Sequence, residues 1–254
     1  MKVILLCAGY ATRLYPLTQD KPKPLLPIAG RPILEWILDR VQEIKEVDRV
    51  FIVTNHRFAG HFEQWSKKAR YPCWGIEVVD DQTTTNENRL GAIGDLQFVL
   101  NQKKIIRDDL LVIAGDNLFD FNLPEFINLS AGRRPHSGIA VFDVGDKRLA
   151  RQYGLVRLDS KGRVVEFYEK PENPVTTLAS CGLYWLPAES LELLDRYLSS
   201  GHNPDQPGHY MRWLVEIDQL YAVSLKGLWL DIGDPASYEK ANVLFRETQS
   251  RLNP

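Results

Sequence analysis

The sequence predicts an α/β fold: a mixed, mainly parallel sheet with flanking helices. Three observations predict it. A short apolar run over residues 3–7 stops at Ala8 and Gly9, as a buried strand does when it delivers the chain into a tight loop. Strand-like and helix-like runs then alternate through the first half, the pattern of parallel strands joined by right-handed crossovers, where ligands gather at the strands' C-terminal ends. In the second half strand-like runs follow one another instead, two of them joined by a Ser160-Lys161-Gly162 turn, so an antiparallel elaboration of the same sheet is expected. A single domain over residues 1–254 accommodates both, with halves of about 1–135 and 136–254.

Taken in order, Pro32 stands at a helix start, and Ile33, Leu34, Ile37, Leu38, Val41 and Ile44 recur on one helical face. Residues 50–53 and 76–79 read as the second and third strands. Between them Phe58, Phe62 and Trp65 fall at helical spacing, an aromatic stripe for packing on a sheet rather than a cofactor platform. The polar run at 82–88 is too hydrophilic for a buried element and ends at RLGAIGDL, residues 89–96. Residues 110–114 form the next strand, leading to Gly115, Asp116 and Asn117. Strands are expected at 137–144, 153–159 and 163–170, a helix at 190–198, a covering loop at 199–209, and a last helix from Pro235 to about Glu247.

Composition narrows the function. With 44% hydrophobic and 25% charged residues the chain is neither fibrous nor disordered. A formal net charge of −2 gives no global basic field for nucleic acid or an anionic membrane, so any anion site must be local. Cys7, Cys73 and Cys181 are odd in number and lack metal-ligand spacing, which reads as reduced structural thiols in a cytoplasmic protein. The apolar residues 3–8 run directly into a basic stretch that a cleaved secretory signal should not carry, and no run approaches the ~18 residues of a membrane span. The five histidines form no metal signature.

The chemistry begins after Gly9, where the loop turns cationic with Arg13, Lys21 and Lys23 while Pro16, Pro22, Pro24 and Pro27 exclude a regular helix. A stiff, basic loop at a strand's end suits a polyphosphate, with backbone N–H groups approaching oxygens that the cationic side chains neutralise. It is neither a dinucleotide fingerprint, which needs three spaced glycines, nor a P-loop. Asp116, at the end of a central strand, is poor core material and calls for a cation, although an Asp in such a place also serves as a helix cap or turn residue.

Residues 5–27, LLCAGYATRLYPLTQDKPKPLLP, closely resemble the signature of the sugar-1-phosphate nucleotidyltransferases: a strand, a small-residue loop ending in Thr-Arg-Leu, a nearby Pro, then Pro-Lys-Pro-Leu. The resemblance implies a Rossmann-like fold of the nucleotide-diphospho-sugar transferase type. It implies that Arg13 and Lys23 are catalytic and hold the nucleotide's phosphates, and that Ala8, Gly9 and Thr12 wrap them. One departure stands out, since the family usually has Gly where this chain has Ala11; a left-handed backbone there would cost Ala ~1–2 kcal/mol. The LGAIG stretch resembles the family's base-contacting motif, which implies a nucleobase contact at Gly91 and leaves Gln82, Asn86 and Glu87 open as the accompanying side chain. Gly115-Asp116 and the Trp-Leu-Asp-x-Gly motif of residues 229–233 imply that Asp116 and Asp231 hold Mg²⁺, with Asp234 the rival of Asp231. Gly154, Glu169, Lys170 and Gly182 fall on the family's sugar-phosphate site.

The implied reaction is attack by a sugar-1-phosphate oxygen on the α-phosphorus of a nucleoside triphosphate, releasing pyrophosphate without a covalent protein nucleophile. Base, sugar and oligomeric state stay open, a homo-oligomer included. Two other readings are a cytidylyltransferase acting on a non-sugar phosphomonoester and a regulatory subunit that binds a nucleotide sugar without turnover. The Glu169-Lys170-Pro171 motif favours a sugar over the first, and the presence of both Asp116 and Asp231 argues against the second.

Overall fold

The computed structural model of the chain describes residues 1–71 and 73–252. In chain order the elements are β1 (Lys2–Leu6), the short strands β2 (Pro27–Ile28) and β3 (Arg31–Pro32), α1 (Ile33–Val41), β4 (Arg49–Thr54), α2 (His56–Ser66), β5 (Gly75–Asp80), α3 (Ala92–Lys103), β6 (Leu110–Ala114), β7 (Asn117–Phe119) and α4 (Leu123–Ala131). The second half adds β8 (Ser137–Asp143), α5 (Lys147–Ala150), β9 (Gly154–Leu158), β10 (Val164–Glu169), β11 (Leu178–Leu186), α6 (Glu192–Ser199), α7 (Pro207–Ile217), β12 (Leu220–Ser224), β13 (Trp229–Asp231) and α8 (Pro235–Leu252).

β6, β1, β4 and β5 lie side by side and parallel, with Leu6 level with both Val53 and Ala114. Their period-2 alternation divides the core: Val3 and Leu5 face α1, α2, α4 and α8, while Ile4 faces α3, α6 and α7. The expected aromatic stripe of α2 is part of the first layer, where Phe58 and Phe62 are buried. The expected antiparallel elaboration is present as the β9–β10 hairpin and as β11, which pairs with β6, β8 and β9. β11 changes register between Ser180 and Tyr184, so its first part joins the hairpin at Ala179–Leu155 and its second part joins β6.

Two stretches differ from expectation. Residues 82–88 are not wholly solvated, because Thr83 is buried against Asp81, which accepts hydrogen bonds from both the Thr83 N–H and hydroxyl at 2.7 Å. The loop expected at 199–209 ends early, since Pro207 opens α7, in keeping with the preference of Pro for a helix's first turn.

The parallel strands end together, and the loops after β1, β4 and β6 meet there. Asn55, fully buried, ties two of them. Its Oδ1 accepts from Phe58 N–H at 3.1 Å, capping α2, and its Nδ2 donates to the Ala8 carbonyl at 2.8 Å. Asn55→Ala removes a cap worth about 1 kcal/mol and strands a buried carbonyl at a cost of about 1–3 kcal/mol, so chemical denaturation should show a loss of roughly 2–4 kcal/mol with an unchanged m-value.

Candidate active site

The loop after β1 buries Cys7, Ala8 and Tyr10 and leaves Gly9 exposed. Ala11 has φ 48 and ψ 41, so the loop adopts the left-handed conformation with a Cβ in place. Its carbonyl accepts from Leu14 N–H at 3.0 Å and from the Thr18 hydroxyl at 2.8 Å, which holds the strained residue at the mouth of a 3-10 turn over Thr12–Leu14. A second 3-10 turn, Lys23–Leu25, aims Lys23 inward, where its ammonium donates to Asp116 Oδ2 at 2.7 Å and to the Ile232 carbonyl at 2.9 Å.

Asp116 and Asp231, 115 positions apart (231 − 116), are brought together by a two-stranded ribbon. β13 pairs antiparallel with β7 so that Asp231 lies opposite Asn117, and Ile232 N–H donates to the Asp116 carbonyl at 3.0 Å. Asn117 Nδ2 donates to Asp116 Oδ1 at 2.9 Å, and Trp229 Nε1 donates to Asn117 Oδ1 at 2.6 Å. Both Asp116 oxygens are therefore fixed. Burial acts to raise the Asp116 carboxyl, but the Lys23 charge and hydrogen bond bring it below the usual carboxylate range. Asp231 goes the other way: burial, then the Asp116 charge, push it up to about 6 against the opposing charges of Lys23, Arg13 and Lys170. Arg13 and Asp231 flank Gly233, since a Cβ built there would lie 3.7 Å from Arg13 Nη2 and 3.8 Å from Asp231 Oδ2. Asp234 has other work, its Oδ1 accepting from Ser237 N–H at 2.8 Å in the first turn of α8.

Asp116, Lys23 and Arg13 open onto a cavity of about 560 Å³. Ala8, Gly9, Thr12, Arg13, Lys23 and Asp116 line one part, and Asn86, Arg89, Gly91 and Asp95 another. Of the polar side chains open as partner to Gly91, it is Asn86 that reaches this cavity. Glu169 and Lys170 line adjoining clefts of about 390 and 420 Å³. Lys170 follows β10 with φ 45, which turns it back toward Glu169 at 3.7 Å rather than to the opposite face. Glu169 pairs with Gly154 across the hairpin, and its carboxyl is pushed up by burial against the charges of Lys170 and His209. Gly182 occupies the register break of β11 with φ 68, where a Cβ would stand 3.0 Å from Ala114 Cβ and 3.1 Å from Asn117 Nδ2, so it backs the acid pair rather than the Glu169 cleft.

The sequence profile of the nucleotidyl transferase family matches residues 2–248. The chain belongs to that family. Similar proteins include the "Bifunctional protein GlmU" of Methanocaldococcus jannaschii, 29% identical over 95% of this chain and 53% of that protein. Another is the "UTP--glucose-1-phosphate uridylyltransferase" of Synechocystis, 28% identical over 98% of this chain and 65% of its own length. This chain spans about half the length of the GlmU relatives it matches. A solved UDP-glucose pyrophosphorylase complexed with UDP-glucose superposes with a TM-score of 0.80 at 22% identity, covering 97% of this chain and 98% of that one, which establishes a shared fold.

Three features of this site escaped the sequence reading. The Trp229–Asn117 bond that orients Asp116 joins two motifs singled out separately, and pairing them required the ribbon. Asp81 and Asp95 form a buried carboxyl pair. Burial, then the charge and hydrogen bond of Asp81, push Asp95 up to about 8, which keeps a proton on the pair. Its signal was visible as an acid among Ile93, Leu96 and Val99 on the buried face of α3. The third is the Arg89–Asp205 ion pair, with Nε to Oδ1 at 2.8 Å and Nη2 to Oδ2 at 2.9 Å.

Replacing Ala11 by Gly should relieve the left-handed strain of ~1–2 kcal/mol, less the greater flexibility Gly gives the unfolded chain, for a net gain of up to about 1 kcal/mol in thermal or denaturant unfolding. For Asp231 the sign follows from a folded value of about 6, above its unfolded one near 3.8: stability falls as pH rises through that window, and the cost is complete above it. In chelator, Asp231→Asn should therefore unfold at higher temperature than the parent at pH 7.5 and lose that advantage at pH about 4; an equal difference at both pH values would count against the ionised carboxylate as its source.

Proposed function

We propose that this chain transfers a nucleotidyl group from a nucleoside triphosphate to a sugar-1-phosphate, releasing pyrophosphate, with Mg²⁺ held at Asp116 and Asp231. The observation that carries the proposal is the juxtaposition of these two carboxylates with Lys23 and Arg13, of which Asp116, Lys23 and Arg13 line one cavity together with Asn86 and Gly91. The names of the relatives, which act on sugar phosphates, support the same substrate class.

The donor set fits a hard divalent ion. Two carboxylates as oxygen donors suit a cation that keeps waters and takes phosphate oxygens. The raised Asp231 supplies a second indication, because two carboxylates crowded in a half-buried site are relieved by a cation between them. Bound there, Mg²⁺ would supply charge neutralisation to the phosphate oxygens at the α-phosphorus.

The rest is done by the chain's own groups. Arg13, with its planar fork, and Lys23, as a compact charge, neutralise phosphate oxygens and align two anions that repel each other in water. Both stand on 3-10 turns in a proline-rich segment, and Asp116 and the Ile232 carbonyl hold the Lys23 charge in place before substrate arrives, the condition for electrostatic stabilisation. Lys23 gives up part of its bonding to Asp116 as phosphate enters. Asn86 and the Gly91 backbone bound the nucleobase, while Glu169 binds sugar hydroxyls and Lys170 the sugar's phosphate. No side chain needs to form a covalent bond.

A pyrophosphate-release screen of five nucleoside triphosphates against a panel of sugar-1-phosphates, with Mg²⁺, tests the reading. One pair should stand out, chelator should abolish its turnover, and Asp116→Asn should lower kcat at least ~10²-fold in a protein that still unfolds cooperatively. Release with non-sugar phosphomonoesters alone, or none with any pair, would defeat the proposal.

A further inference from the structure

The segment 203–208, the end of the loop after α6 and the first two residues of α7, touches the site at two places. At its start, the Pro204 carbonyl accepts from Ile93 N–H at 2.9 Å and the Asp205 carbonyl from Ala92 N–H at 3.1 Å, so this segment occupies two of the amides that α3 leaves free at its N-terminus. Arg89 closes over it with the two-pronged bond to Asp205, and its Nη1 donates to the Asn86 carbonyl at 2.6 Å. The approach is so close that a Cβ on Gly91 would stand 2.5 Å from Asp205 Cα. At its end, Gly208 abuts Glu169, whose carboxylate leaves no room for a Cβ. Three positions separate these contacts (208 − 205), and Asp205 and Pro207 also line the central cavity.

The segment is held from behind as well. Tyr197 donates its hydroxyl proton to the Asn203 carbonyl at 2.7 Å, and Asn203 Oδ1 accepts from Asp205 N–H at 2.8 Å. The Arg89 hydrogen bond holds the Asp205 carboxyl below the usual carboxylate range, which keeps the pair ionised at neutral pH. A shift at Gly91 therefore meets a short, braced strip of backbone whose far end is pressed on Glu169.

We propose that residues 203–208 are a strap that couples nucleotide binding at Gly91 to sugar-phosphate binding at Glu169, with Arg89 and Asp205 as positioning residues that act through it and do not touch the reacting atoms. The proposal rests on the transferase reading above. An exposed ion pair contributes little to stability, so the expected consequence of breaking it is a loss of communication rather than of fold.

The test is calorimetric titration of the sugar-1-phosphate into the full chain with Mg²⁺, with and without the α,β-methylene analogue of whichever nucleoside triphosphate gives the fastest pyrophosphate release. Parent protein should bind the sugar-1-phosphate at least about fivefold more tightly when the analogue is present. In Asp205→Ala and in Arg89→Ala that ratio should fall toward one at an unchanged melting temperature, and the double variant should lose no more than either single one. Arg89→Lys, which keeps the charge but not the fork, is the milder variant should the alanine forms fail to fold, and should lose most of the ratio. A parent ratio near one, or one that survives in any folded variant of the pair, overturns the strap while pyrophosphate release leaves the transferase reading standing. No release from any substrate pair overturns that reading and the strap with it.

Discussion

The site is organised by a charge constraint: two carboxylates must coexist at the ends of neighbouring strands, partly out of water. Lys23 meets it in the free protein by bonding to Asp116 and to the Ile232 carbonyl at once, joining the proline-rich loop, the end of β6 and the chain after β13. Asn117 and Trp229 complete the support by fixing the other oxygen of Asp116. Asp231 is left as the member whose charge is resisted, by burial and by its neighbour. Under the proposed function, a group strained without a cation and relieved by one would set stability against chemistry.

Most of the fold was legible because its signals are local. Apolar runs, helical spacing and the Ser160-Lys161-Gly162 turn marked seven of the nine strands of the large sheet and missed β11 and β12, and the family resemblance grouped Arg13, Lys23, Asp116 and Asp231, which the fold brings close together. What sequence could not supply was pairing. Asp231 lies beside Asp116 only because β13 runs antiparallel to β7, and nothing in either three-residue strand announces its partner. Asp234 could be set aside only once its bond to Ser237 was seen. Likewise Gly182 fell within a motif tied to the sugar, but the register break of β11 turns it toward Asn117.

The Ala11 departure shows how a local rule and a global need are reconciled. The left-handed backbone is retained and the side chain is accommodated, with hydrogen bonds from Leu14 and Thr18 converging on the Ala11 carbonyl to hold it. The left-handed turn is therefore reached here with a less favourable residue than Gly.

The ribbon of β7 and β13 also bears on how the molecule comes into being. Lys23 bonds across 93 and 209 positions of sequence to its two partners, so a ribosome has released the cationic loop and the first carboxylate long before the strand bearing the second one exists. Contacts of that separation form late and slowly, after the parallel sheet they rest on. The Lys23–Asp116 bond spans the shorter of the two separations, and the second carboxylate joins the site only as β13 docks on β7. Ligand-binding competence then arrives in a single late step, which makes it a stricter measure of complete folding than secondary structure is.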